Sequence, residues 1–166
     1  MNKIMKNDRD KHPRPTLARD DFMTLNGVWD FEFDPTDIGL REKWYKAHDY
    51  TRKINVPYVY QCAKSRIDVK DRVDVFWYSR KFHASPAAGK RMVLHFGAVD
   101  YECEVFINGL SVGKHTGGYT SFAFDITDSL VDGQNNVTVR VEDRFDRTQI
   151  RGKQYCPPKI DRCFYE

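Results

Sequence analysis

From Gly27 onward the chain alternates between apolar and polar side chains: Trp29, Phe31 and Phe33 are separated by Asp30 and Glu32 and followed by Asp34. A period of two is that of a strand with one buried face. Pro35 ends the run. The same period returns in Phe76, Tyr78, Arg80 and Phe82, in Met92, Leu94 and Phe96, and in Tyr101, Cys103, Val105 and Ile107. It returns again in Phe122, Phe124 and Ile126 and in Val137, Val139 and Val141. Between these runs lie Ser85-Pro86-Ala87-Ala88-Gly89, Asn108-Gly109, Gly117-Gly118 and Asp132-Gly133-Gln134-Asn135-Asn136, all rich in turn-forming residues. Asn108-Gly109 is the strongest hairpin signal. Residues Asp37 to Ala47 predict a short helix or turn carrying Leu40, Trp44 and Tyr45, and no other stretch reads as helical. Short antiparallel strands at this spacing predict an all-β, two-sheet sandwich whose inward side chains form the core.

Length and charge narrow the class without changing that picture. A chain of 166 residues, 40% hydrophobic and 31% charged, is the size of one domain with a core of its own. Residues 1–14 carry Lys3, Lys6, Arg9, Lys11, His12 and Arg14 with little to bury and read as a flexible leader; residues 15–166 are expected to form the sandwich. No internal repeat or interdomain linker stands out. Lys plus Arg number 27 against 24 Asp plus Glu, a net charge of +3 with the signs interspersed, so no nucleic-acid surface is expected. The amino-terminal residues contain no apolar segment, so neither an export signal nor a membrane span is expected, and the chain reads as cytoplasmic.

The residues that carry chemistry are sparse. Cys62, Cys103, Cys156 and Cys163 lack paired metal-ligand spacing, and the histidines are scattered, so reduced thiols and no metal site are expected. Cys103 falls in phase with Val105 and is expected to be buried as a small apolar residue. Glu102 and Glu104 are the one candidate carboxylate pair, but alternation puts both on the face opposite Cys103, side by side on a solvated sheet surface. No nucleophile elbow and no phosphate-binding glycine loop occurs. Aromatic residues make up 14% of the chain. Trp29, Phe31 and Phe33 read as core, whereas Tyr58, Tyr60, Tyr119, Tyr155, Phe164 and Tyr165 lie in turn-rich segments, placed like a rim on which a sugar could stack. The segment Arg151 to Glu166 has prolines, aromatics and mixed charge without alternation, and reads as a functional loop or an unpaired tail.

Several of these stretches resemble the amino-terminal sugar-binding-type domain of glycoside hydrolase family 2, the β-galactosidase and β-glucuronidase group. Leu25-Asn26-Gly27-Val28-Trp29-Asp30-Phe31 resembles its first strand. Val56-Pro57-Tyr58 with Gln61 and Ser65-Arg66-Ile67 resembles its next conserved stretch, Arg66 standing at the usual glycine. Phe76-Trp77-Tyr78-Ser79-Arg80-Lys81-Phe82 resembles its W-Y-R-R-x-F strand. The most specific match runs from Leu94-His95-Phe96-Gly97-Ala98-Val99-Asp100-Tyr101 through Val105-Phe106-Ile107-Asn108-Gly109, Val112-Gly113 and His115-Thr116-Gly117-Gly118-Tyr119 to Phe124-Asp125-Ile126-Thr127. The similarity covers about Arg14 to Glu166.

The resemblance implies a galactose-binding-type jelly roll beside an immunoglobulin-like domain and a (β/α)-barrel of the same protein. Both catalytic glutamates of a retaining mechanism lie on the barrel, so no catalytic residue is assigned to this chain and it is not expected to be active alone. It implies a loop at the active-site rim. Arg151-Gly152-Lys153-Gln154 and Asp161-Arg162-Cys163-Phe164-Tyr165 resemble segments of that loop, with Asp161 expected to hydrogen-bond a substrate hydroxyl. Arg162, Tyr165 and Gln154 accompany it, and Gln61 and Ser65 are weaker candidates from a neighbouring loop. No cofactor is expected beyond a monovalent cation near Asp161 in the intact enzyme, which the resemblance to some relatives implies. The chain stops before the strand that usually follows, which implies an unpaired edge and self-association. The expected function is that of a sugar-binding or scaffold domain of a retaining β-glycosidase acting on a carbohydrate. The alternatives are a stand-alone, non-catalytic carbohydrate-binding module and a purely structural interaction domain.

Overall fold

A computed structural model describes residues 22–145. The leader, residues 1–14, and the loop bearing Gln154, Asp161, Arg162 and Tyr165 lie outside the described residues. Eight strands form: β1 (Gly27–Phe33), β2 (Arg52–Val56), β3 (Val75–Ala84), β4 (Val93–Phe96), β5 (Glu102–Ile107), β6 (Leu110–Thr116), β7 (Phe122–Asp125) and β8 (Gly133–Glu142). They make a six-stranded sheet in the order β2-β1-β3-β8-β5-β6 and a two-stranded sheet of β4 and β7, antiparallel throughout. This is the expected all-β sandwich. Two single turns of 3₁₀ helix, Ala63–Ser65 and Thr127–Ser129, interrupt the connections. Residues 37–47 take the turn alternative, closed by Glu42 N–H to Ile38 O (2.9 Å) and Trp44 N–H to Gly39 O (2.9 Å).

Register explains how the core is assembled. One row across the large sheet runs Phe31, Tyr78, Val139, Val105 and Gly113. These residues face the small sheet, and a Cβ on Gly113 would come within 2.2 Å of the Phe124 ring of β7, so the absent side chain is what lets the sheets close. Leu94, Phe96, Phe122 and Phe124 pack in from the other layer, with the Phe96 and Phe122 rings stacked at 4.8 Å. Cys103 is buried as expected, and burial pushes its thiol up to about 11. Asn108 and Gly109 have φ of 51° and 80°, the positive pair that a tight hairpin with matched twist requires.

The neighbouring row departs from the sequence expectation. It runs Glu32, Trp77, Arg140, Glu104 and Lys114, on the face that alternation assigns to solvent. Yet Trp77 and Asp34 are fully buried, and Glu32 and Phe106 are buried with them. Residues 35–50 fold back across this face: Tyr45 stacks on Phe106 at 4.6 Å, and Trp44 lies 5.9 Å from Trp77. The sheet is therefore covered on both sides over its central strands. Tyr60 is a second correction. It lies 5% exposed, its ring 5.2 Å from Phe33 and 5.3 Å from Phe76, so it belongs to the core and not to a sugar-binding rim. Phe33 is partly buried against the same cluster.

Candidate functional site

Two of the candidate residues, Gln61 and Ser65, lie in the connection between β2 and β3. That connection is tightly organised. The Ser65 hydroxyl donates to the Cys62 carbonyl (2.7 Å), with the Tyr60 carbonyl 3.2 Å away, and accepts the Ile67 N–H (3.0 Å). Ser65 is buried, with every polar bond spent inside the loop. Gln61 is exposed, and its backbone carbonyl accepts the Lys70 ammonium. Tyr60 ties the loop to the start of β3 by accepting the Val73 N–H at 3.1 Å. Arg66 closes the 3₁₀ turn in the left-handed region, φ 72°, a conformation that glycine adopts without the cost an L side chain carries.

The loop reaches the end of the large sheet where β3 begins and β8 ends. Here a cleft of about 240 Å³ is lined by Pro35, Asp37, Arg72, Asp74, Val75 and Arg144, with Val73. Its charges alternate in sign. Asp37 accepts from Arg140 (2.6 Å) and Arg144 (2.9 Å), and Glu142 accepts from Arg140 (2.7 Å) and from Arg144. Arg72 pairs with Asp74 at 3.1 Å, donates to the Asp143 carbonyl at 2.6 Å and covers the Phe145 ring at 5.4 Å. Burial opposes the charge on Arg140, but the bonds to Asp37 and Glu142 outweigh it and hold its pKa above the usual arginine value. Burial likewise raises Glu142, and its bonds to Arg144 and Arg140 more than reverse this, leaving it below the usual carboxylate range. Such a network holds a strand end in one direction; with each charge answered, it is suited to positioning and not to proton transfer.

No general acid facing a nucleophile emerges from the carboxylate pair singled out above. Glu102 is exposed, and Glu104 is held by Ser111 Oγ (2.7 Å) and Lys114 Nζ (3.3 Å). Among the described residues no group of three His, Cys, Asp or Glu is placed to hold a metal, and no helix is long and apolar enough to cross a membrane. Sequence reasoning missed the network of Asp37, Arg72, Arg140, Glu142 and Arg144. The partners of Arg140 at position 37 and of Arg72 at position 143 are remote in sequence, and nothing local marks them.

The glycine-rich segment behaves as its composition suggests. A Cβ on Gly118 would lie 2.3 Å from Asp100 Oδ1, and the Gly117 N–H donates to the Tyr101 carbonyl at 2.8 Å. His115 stacks on Phe122 at 3.9 Å beneath this turn, and Tyr119 on it is 65% exposed.

Comparison with known proteins gives the arrangement its family. A β-glucuronidase of Paenibacillus borealis is 33% identical over 132 residues, which is 78% of this chain and 22% of that protein. A β-galactosidase of Thermoanaerobacter pseudethanolicus is 40% identical over 73 residues, 42% of this chain and 10% of that protein. Among solved structures, Lactobacillus rhamnosus β-glucuronidase superposes with a TM-score of 0.69 at 30% identity, over 76% of this chain and 22% of its own. The chain thus spans about a fifth of the length of the curated β-glucuronidases it matches. The family model for the sugar binding domain of glycosyl hydrolases family 2 matches residues 22–156, and the chain belongs to that family.

Proposed function

We propose that this chain serves as the amino-terminal sugar-binding and scaffold domain of a retaining β-glycosidase of the β-glucuronidase or β-galactosidase type, lending a loop to the rim of a catalytic site built elsewhere in the protein. The observation that carries this reading is the match of the whole described sandwich to about a fifth of much longer glycosidases. Asp161, accompanied by Gln154, Arg162 and Tyr165, is the group proposed to accept a hydrogen bond from a substrate hydroxyl. Gln61 reaches substrate from the adjoining loop, while Ser65 acts by fixing that loop. A barrel and an immunoglobulin-like domain of the same protein are the proposed neighbours, a carbohydrate the proposed substrate, and the cytoplasm the proposed location. Self-association through an unpaired strand edge is proposed for the chain by itself.

The test is made on the natural gene product. Its mass, read by an antibody raised against this chain, is expected to be several-fold above the 19.5 kDa of the chain, and the purified product is expected to cleave β-glycosides. In that protein Asp161→Ala is expected to lower kcat/KM by about tenfold or more, about 1.4 kcal/mol of transition-state stabilisation. A product of the chain's own mass without glycosidase activity would overturn the reading, and unchanged kinetics would remove the role of Asp161.

A further inference from the structure

The connection between β2 and β3 carries positive charge that the other described residues leave unused. Among the described residues Arg66 is the one arginine whose guanidinium makes neither a hydrogen bond nor an ion pair; every other described arginine is answered by a carboxylate or a carbonyl. It is exposed, and its backbone is held at φ 72°, a conformation that L side chains adopt at a cost. Lys64, two positions earlier, pairs with no carboxylate among the described residues; its ammonium lies 5.8 Å from the centre of the Tyr58 ring. Gln61 is exposed. Between residues 57 and 67 there is no acidic side chain at all, and the nearest beyond them, Asp68, is ion-paired with Lys70.

These side chains stand on a backbone that does not yield easily. The buried Ser65 hydroxyl makes its bonds to Cys62 and Ile67, and the Arg66 N–H closes the turn on the Ala63 carbonyl at 3.1 Å. Cationic and amide donors on one stiff loop, with the Lys64 ammonium near the Tyr58 ring, are elements that recognise an anionic saccharide, a guanidinium taking a carboxylate or sulfate in paired hydrogen bonds and a ring covering a sugar face. We propose that Arg66, with Lys64, Gln61 and Tyr58, forms a subsite for a carboxylate or sulfate group carried on an oligosaccharide. The anion follows from the unused charge; the choice of a saccharide to carry it rests on the proposed function.

The test is a titration of the isotopically labelled 166-residue chain by nuclear magnetic resonance. The probes are a uronic-acid tetrasaccharide, a sulfated tetrasaccharide, a neutral tetrasaccharide and inorganic sulfate. The expected result is saturable shifts at Gln61, Lys64 and the Arg66 side chain with one or both acidic tetrasaccharides, weakened by salt, and the acidic probe that binds more tightly identifies the group recognised. Arg66→Gly is expected to lose about tenfold or more in affinity without a fall in its thermal midpoint, because glycine suits the backbone there, so a loss of fold cannot imitate a loss of site. Unchanged affinity in Arg66→Gly, equal affinity for the neutral tetrasaccharide, or inorganic sulfate binding as tightly as the acidic tetrasaccharides would each overturn the subsite. Glycosidase activity of the natural product without acidic-saccharide binding here would overturn the subsite alone; such binding without that activity would overturn only the proposed enzyme.

Discussion

The indole N–H of Trp77 donates to Oδ2 of Asp34 at 3.0 Å, and both residues are almost wholly enclosed, Asp34 at 1% exposure and Trp77 at none. The same carboxylate accepts the N–H groups of Ile38 (2.9 Å) and Gly39 (2.8 Å). One acidic side chain thus joins β1, the middle of β3 and the start of the segment that covers the outer face of the sheet. The buried carboxyl group is tolerable because three donors converge on it.

Removing that acceptor leaves the three donors without it under a covered face. Asp34→Ala is expected to destabilise the chain by about 3 kcal/mol, which for a chain of this size lowers the thermal midpoint by roughly 6–12 °C. Asp34→Asn keeps an acceptor oxygen and is expected to cost less. Thermal unfolding followed by circular dichroism decides the point; a shift under about 2 °C for Asp34→Ala would show that the carboxylate is not the joint described.

Gly39 tests the same joint by volume. A Cβ there would lie 2.6 Å from Trp77 Nε1 and 2.8 Å from Asp34 Oδ2, so alanine must push the covering segment off the indole. Gly39→Ala is expected to cost about 1–3 kcal/mol, visible in the urea midpoint and as an increase in Trp44 and Trp77 fluorescence quenching by acrylamide. A neutral substitution would mean that the segment relaxes freely.

Stability is expected to fall in acid, and Glu32 is one reason. Burial raises its pKa, but the Thr51 hydroxyl and N–H, the Arg52 guanidinium and the Phe33 N–H more than offset this, so it titrates below the usual range. A depressed folded value stabilises the native state fully above the unfolded glutamate value of about 4.3, and the contribution is lost as the pH falls through the lower, folded value. Glu142 acts with the same sign. The urea midpoint is expected to be nearly flat from about pH 7 to 5 and to drop below that, with a shallower drop in Glu32→Gln. An identical acid limb in the variant would remove Glu32 from the account.

Arg66→Gly is expected to raise the thermal midpoint slightly. Relief of the left-handed backbone is worth about 1–2 kcal/mol, from which the greater freedom of glycine in the unfolded chain subtracts about 0.4–1 kcal/mol. A net gain of about 0.5 kcal/mol corresponds to roughly 1–2 °C. A fall in the midpoint would mean that the arginine side chain stabilises the fold and is not held in reserve.

Cys103 and Cys62 are expected to differ as reagents. Cys103 is buried with its thiol raised to about 11, whereas Cys62 is half-exposed in the loop after β2. At neutral pH a thiol reagent is expected to modify Cys62 in the folded chain and Cys103 only on unfolding, as peptide mass mapping reads directly. Rapid modification of Cys103 would show that β5 opens readily.

Alternation by itself determined much of this molecule: β1, β3, β5 and β8, the inward set of Phe31, Val105, Val139 and their neighbours, the Asn108-Gly109 hairpin and the two-layer class. Those features are written locally, because a strand shows its buried face at every second residue and a tight turn needs particular backbone angles. The local pattern leaves β2 and β6 unmarked: Arg52–Val56 is short, with Ile54 its one fully buried apolar residue, and Leu110–Thr116 is broken by Gly113. Tertiary structure alone decided that Glu32, Asp34, Trp77 and Phe106 are enclosed, since the segment that covers them is an independent stretch of chain whose path no periodicity encodes. It also placed Tyr60 in the core, turned Ser65 inward, and paired Arg140 with Asp37 across more than a hundred residues. Gln154, Asp161, Arg162 and Tyr165 are proposed from the sequence motif alone, because residues that bind a ligand are selected by what they touch and leave no repeating burial pattern.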